Sequence, residues 1–256
     1  MRKMQRSSLK VYVTFLILFQ TVFTYSSSSQ TSNHKKQILV DIVHGQKFYN
    51  DPDEMNGKDS GFVQRIKYMT GELAKNAAEL NAEVRFQKGK ISQEALANCD
   101  LLFIHMPSSK YEAGEVQAIQ QYLKKGGSMF IVMEVDYWST LEKANVNDIV
   151  QPFGVVYKSD NPDGKSSGGY TEAGAVAEKR FSIPYHGARI VEGGTPFCFS
   201  NQTKENPFGI YKKLEGGGKI IAMGDGMVSL YMTSWEGVNN YQCSEFMHDV
   251  LAWLLK

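Results

Sequence analysis

Apolar residues along this chain fall into short unbroken runs separated by amphipathic stretches. That is the pattern of strands buried on both faces alternating with helices. The runs are Ile38-Leu39-Val40-Asp41-Ile42-Val43, Leu101-Leu102-Phe103-Ile104, Ser128-Met129-Phe130-Ile131-Val132-Met133 and Lys219-Ile220-Ile221-Ala222-Met223. After the first, Phe62, Ile66, Met69, Leu73, Ala77 and Leu80 recur at three- and four-residue spacing and predict a helix. A short strand is expected over Glu83 to Gln87 and a helical turn near Ser92 to Ala97. Glu112 to Lys125 predicts a helix that packs Val116, Ile119 and Leu123 inward and stops at Gly126-Gly127, a glycine C-cap.

Beyond the Ser128 run, Asn147 to Phe153 reads as a short helix and Val155-Val156-Tyr157 as a short strand. Asp160 to Gly174 is rich in Gly, Ser, Asp and Asn and reads as a long loop. Arg189-Ile190-Val191 and Gly209 to Leu214 are expected as antiparallel additions, and Tyr241 to Leu255 as a closing amphipathic helix. Strands alternating with helices make this an α/β chain with a mostly parallel sheet flanked by helices, flavodoxin-like in class.

The N-terminus stands apart from that pattern. Arg2, Lys3, Arg6 and Lys10 precede an apolar stretch, Val11 to Tyr25, and Ser26 to Ser29 offers small residues for cleavage. This predicts a signal peptide over 1–29, a polar linker over 30–36 and one domain over 37–256. The apolar stretch is short against the roughly 20 residues a bilayer span needs, so no stable membrane insertion is expected after cleavage. The chain is expected to be exported, to the periplasm or beyond.

Composition removes other classes. Lys plus Arg number 28 against 27 Asp plus Glu, with no basic stripe, so nucleic acid is not an expected partner. Cys99, Cys198 and Cys243 are an odd, sparse set, expected as buried free thiols rather than as a disulfide framework or zinc site. No His, Asp or Glu spacing imposes a metal, no glycine loop cradles phosphate, and no cofactor is expected.

With the elements in order, the chain resembles the class I glutamine amidotransferase-like superfamily. Within it, the chain is similar to a branch found among bacterial polysaccharide-utilisation proteins and in transport and gliding proteins. The residues that carry the resemblance are His44-Gly45-Gln46 after the opening strand, Leu101 to Pro107 with Glu115 in the following helix, and Lys124-Lys125-Gly126-Gly127. Gly218-Lys219-Ile220-Ile221-Ala222-Met223-Gly224-Asp225 and the closing Ala252-Trp253-Leu254-Leu255 complete it. The resemblance implies a nucleophilic Cys on the turn after the central strand. Glu134, Val135 and Asp136 stand there instead, so thiolate chemistry is not expected.

Ligands of parallel sheets bind outside the carboxyl ends of the strands. His44, Gln46, His105, Glu134, Asp136 and Asp225 are therefore expected around one crevice. Glu134 and Asp136 share a face if the strand continues through them; if the turn starts early, one caps a helix or pairs with a cation. Tyr49, Tyr137, Trp138 and Tyr170 are candidate platforms for sugar rings, with packing of loops as the plain alternative. Tyr185-His186-Gly187-Ala188-Arg189 offers a proton-transfer pair and a carboxylate clamp.

Export, aromatic loops and the resemblance together point to an acidic, uronate-containing oligosaccharide as partner. The expected chemistry is dehydration or β-elimination of the lyase type, with His44 or His186 as base and Tyr185 or Tyr49 as acid. Arg189 with Gln46 would clamp the carboxylate, and Glu134, Asp136, Trp138, Tyr170 and Asp225 would line the site. The alternative is a non-catalytic module of the same fold that binds a glycan or a partner protein.

Overall fold

Side-chain alternation builds the centre of the molecule. In the computed structural model, which describes residues 34–46, 48–160, 168–226, 231, 237–238 and 240–256, the elements begin with β1 (Lys36–Asp41), α1 (Ser60–Glu79) and β2 (Ala82–Gln87). They continue through α2 (Gln93–Leu96), β3 (Leu101–His105), α3 (Ala113–Lys124), β4 (Ser128–Val132), α4 (Leu141–Ala144), α5 (Val146–Val150) and β5 (Val156–Asp160). Strands β6 (Gly169–Thr171), β7 (Ser182–Ile183), β8 (Arg189–Glu192), β9 (Thr195–Ser200), β10 (Gly209–Lys213) and β11 (Lys219–Met223) follow, then α6 (Cys243–Leu255).

The main sheet has nine strands in the order β2-β1-β3-β4-β11-β10-β9-β6-β7, and β5 pairs with β8 separately. Strands β2, β1, β3, β4 and β11 are mutually parallel, whereas β10, β9, β6 and β7 continue the sheet antiparallel. The expected mostly parallel sheet is thus the core of a larger mixed one. Ile38, Val40, Phe103, Phe130, Val132 and Ile221 face α1 and α6, while Leu39, Leu102, Ile104, Met129, Ile131 and Ile220 face α3 and α5. Period-two alternation buries both faces, so each strand reads as an unbroken apolar run.

Local signals end the elements where chemistry predicts. Asp59 caps α1 by accepting from the Phe62 amide, and α3 opens on a reciprocal box in which the Glu112 amide donates to the Glu115 carboxylate at 2.9 Å. Helix α3 stops at Gly126, whose φ of +101° is the left-handed cap expected there. The loop expected over Asp160 to Gly174 instead contains β6, which carries Tyr170 into the sheet. None of Cys99, Cys198 and Cys243 is in a disulfide; Cys198 and Cys243 are buried and Cys99 is half-buried. The signal-peptide reading and most of the linker lie outside the described residues.

Candidate functional site

A doubly wound sheet opens its ligand crevice where the strand order reverses, here between β1 and β3. Asp41 ends β1 and His44 follows three residues on. The His44 Nδ1 lies 2.9 Å from the Asp41 carboxylate, and its Nε2 lies 3.2 Å from Glu115. The Tyr111 hydroxyl donates to Asp41 at 2.7 Å, and its ring stacks on His44 with centroids 3.8 Å apart. Glu115 in turn accepts from the amides of Ile91 and Glu112. Asp41, His44 and Glu115 are all buried.

Burial works against an imidazolium at His44, but the hydrogen bond and charge of Asp41, then Glu115, outweigh it and raise its pKa. Burial likewise opposes ionisation of Asp41, yet His44, Tyr111 and Gln46 hold that carboxylate below its ordinary value. Glu115 is lowered too: the Glu112 and Ile91 amides and His44 overcome its desolvation. The imidazole thus sits between two carboxylates, which favour its protonated form. Both ring nitrogens of His44, expected as a base, are engaged by carboxylates, Asp41 at 2.9 Å and Glu115 at 3.2 Å.

The loops flanking the reversal point are also tied to each other. The Ser108 amide donates to the His44 carbonyl at 2.8 Å, and its hydroxyl to the Gly45 carbonyl at 2.9 Å. Gln46 is buried beside Asp41 and Tyr111.

A second cluster forms where β4 and β11 end. Glu134 is buried, and its carboxylate accepts from the Gly226 amide at 3.0 Å. Asp225 is buried and accepts from the exposed His186 amide at 3.0 Å. His105 Nε2 reaches the Gly226 carbonyl at 3.3 Å. Burial first, and then the neighbouring charge of Asp225, push the Glu134 carboxyl well above the ordinary range, so it keeps its proton at neutral pH. Burial drops His105 to about 3, leaving it neutral.

The turn after β4 starts early, and Glu134 and Asp136 part company. Asp136 is exposed and pairs with Arg189, whose guanidinium also donates to the carbonyls of Ser139 at 3.0 Å and Lys158 at 3.3 Å. Arg189 is 1% exposed. It ties β8 to the β4 turn and is not a clamp for a ligand carboxylate. Among the described residues, positive φ outside glycine occurs at Asn81, Met106, Asn145 and Tyr231, none of them on that turn. The strained elbow that presents a nucleophile is not built there.

Two expected acids are buried in apolar packing. Tyr49 lies against Phe103 and His105 with centroids 5.0 Å away, and burial raises its phenol pKa. Tyr185 packs on Phe208 at 4.9 Å and is fully buried. Neither can reach a substrate held outside the sheet. Tyr170 is no platform either: the Arg180 guanidinium covers it at 3.5 Å and Phe199 stacks beside it. Trp138 is half-buried, edge-on to Phe48, whereas Tyr137 stands out at 83% exposure.

The carboxyl edge does gather His44, Gln46, His105, Glu134, Asp225 and His186. Asp41, Tyr111 and Glu115 join it without having been expected there. Their signals are present in the sequence: an acid at the end of β1 three residues before His44, and the Glu112–Glu115 spacing of a capping box.

The family model for the IFT52 GIFT domain matches residues 65–163, from within α1 to just past β5. The mmIFT52 N-terminal domain shares the fold at a TM-score of 0.59 and 15% identity, over 86% of this chain and 97% of that one. The cytoplasmic protein STM3548 from Salmonella typhimurium does so at 0.55 and 12% identity, over 86% and 97%. A ThuA-like protein from Bacteroides uniformis also matches, at a TM-score of 0.48 and 11% identity, over 89% and 94%. Among curated proteins none matches the chain in sequence. At these identities the likeness is one of fold: a mixed α/β sheet, parallel at its centre and flanked by helices.

Proposed function

We propose that this chain is an exported, non-catalytic module of amidotransferase-like fold that binds a glycan on its carboxyl edge. On this reading it belongs to the branch of that superfamily found among bacterial polysaccharide-utilisation proteins. The observation that carries it is a contrast: the reversal-point loops are bonded to each other around His44, while Tyr137 on the turn after β4 stands exposed. Tyr137 leans edge-on against Trp138 at 4.9 Å, with Asp136 adjoining and His186 exposed nearby. A flat ring with a carboxylate and an imidazole at its rim suits the C–H face and hydroxyls of a sugar.

Elimination at a uronate is a second reading, favoured by one observation, the proton kept on Glu134, whose neighbour Asp225 accepts the amide of exposed His186. One experiment separates the two. Calorimetric titration of neutral and uronate-containing oligosaccharides should show binding without turnover, and Tyr137→Ala should weaken it about tenfold with folding unchanged. Appearance of the ultraviolet band of an unsaturated uronate would replace the module by a lyase. Absence of both binding and product would remove both readings.

A further inference from the structure

Lys219 opens β11 at the end of the sheet opposite the loops described above, and a cavity of about 600 Å³ lies beside it. Tyr122 of α3, Leu96 of α2 and Leu254 of α6 form its walls, and the Gly126-Gly127-Ser128 turn its rim. That volume falls within the roughly 300–1,000 Å³ of small-molecule sites. The rim is rigid for a steric reason. A Cβ on Gly127 would meet the Tyr122 ring at 2.3 Å, and one on Gly218 would meet the Leu123 carbonyl at 2.3 Å. Glycine lets the turn after α3 and the turn before β11 touch backbone to backbone, with Lys125 on one and Lys219 beside the other.

Four lysines line this cavity: Lys36, Lys125, Lys219 and Lys256. Among the described residues none of them forms an ion pair. Lys219 donates one N–H to the Trp253 carbonyl at 2.9 Å, with its ammonium 5.5 Å from the Trp253 ring centre. An ammonium has three donors, so two remain for the cavity. Asp100 is the lining acid, and its carboxylate already accepts the Gln37 amide at 2.7 Å. Burial, then the charges of Lys213, Lys36 and Lys256, lower the pKa of Lys219. Four lysine side chains against the one carboxylate side chain of Asp100 leave the amino edge with an excess of positive charge next to apolar wall.

We propose that this cavity is a second binding site, for a small organic oxyanion bearing phosphate or carboxylate on a body of monosaccharide size, held by Lys36, Lys125 and Lys219. It is independent of the glycan reading, because it lies at the other end of the strands and uses none of the same residues. A mixed wall explains the organic body: Leu96 and Leu254 offer apolar surface, and the lysines meet the charged head.

The test is an NMR titration of the ¹⁵N-labelled full-length chain with glucose 6-phosphate, glucuronate and uncharged glucose. Saturable shifts at the amides of Cys99, Asp100, Gly126 to Ser128 and Gly217 are expected with the phosphate arm, the carboxylate arm or both, which names the head group. Glucose should leave them still, and affinity should fall as salt rises. Lys125→Gln, at an exposed position, should weaken binding several-fold, and Lys125→Gln with Lys219→Gln by more than about tenfold, the scale of a charge-assisted hydrogen bond. If the double variant fails to fold, Lys125→Gln decides. Equal shifts with glucose, non-saturating shifts spread over all lysine-bearing surfaces, or unchanged affinity in Lys125→Gln would overturn the proposal.

Discussion

Glu134 meets the hydrophobic core with two backbone donors, the Val135 and Gly226 amides, each at 3.0 Å, and a second carboxylate for a neighbour. Its pKa is raised on folding, so ionisation disfavours the folded state, and stability falls as pH climbs from the ordinary carboxylate range toward the raised value. Glu134→Gln keeps an oxygen for the Gly226 amide and cannot ionise. Denaturant midpoints should match wild type near pH 4 and exceed it near pH 8; equal differences at both would show that Glu134 carries no extra proton. His44 runs in the same direction with pH. Its raised pKa means that its contribution is complete below the ordinary histidine value and lost as pH rises through the folded one. Asp41 and Glu115, both lowered, contribute above the ordinary carboxylate range and lose that contribution in acid. Replacing His44 by Gln should cost about 3 kcal/mol at pH 6, because two buried carboxylates lose their cation, and less at pH 9. Urea unfolding at the two pH values measures it. None of these protonation states was readable from the sequence, where His44 looked like a loop base. Asp41 stands 3 residues before His44 and Glu115 shows as part of a capping box, but spacing carries no sign that Glu115, 71 positions on, meets His44.

Arg189 shows the same limit for a whole element. Its place in an antiparallel addition was legible from Arg189-Ile190-Val191, but its target was not, since Asp136, Ser139 and Lys158 lie 53, 50 and 31 positions away. Arg189→Met removes the cation and frees two carbonyls, and should destabilise by about 2–4 kcal/mol. Amide exchange should quicken first at Val156 and Tyr157, which pair with β8; an unchanged exchange pattern would count against the link. The parallel strands were readable because burial on both faces leaves only apolar residues in Ile38 to Val40, Leu101 to Ile104 and Met129 to Val132. Strands β6, β7 and β9 were not. Gly169-Tyr170-Thr171 is too short to show a period, and Thr195-Pro196 opens β9 with a residue that lacks an amide hydrogen. Glu134 and Asp136 were foreseen to part if the turn came early, and the turn does.

The chain order and the sheet order disagree at one place, and this governs how the molecule comes into being. Strand β11 sits between β4 and β10, in the middle of the sheet, yet it is the last strand in sequence. Until residues 219–223 have been made, Met129-Phe130-Ile131-Val132 has an open side, and β10 with the strands beyond it has nothing to join. Native contacts of long sequence separation form slowly, and an uncovered apolar edge invites association with other chains. A chain ending before Lys219 should therefore fail to reach the cooperative unfolding transition of the whole protein and should aggregate, which light scattering and circular dichroism would record; a soluble, cooperatively melting fragment would refute this. The late centre strand makes folding nearly all-or-none with respect to synthesis. A polypeptide growing from a ribosome stays pliant for most of its length and commits to its shape only near the finish.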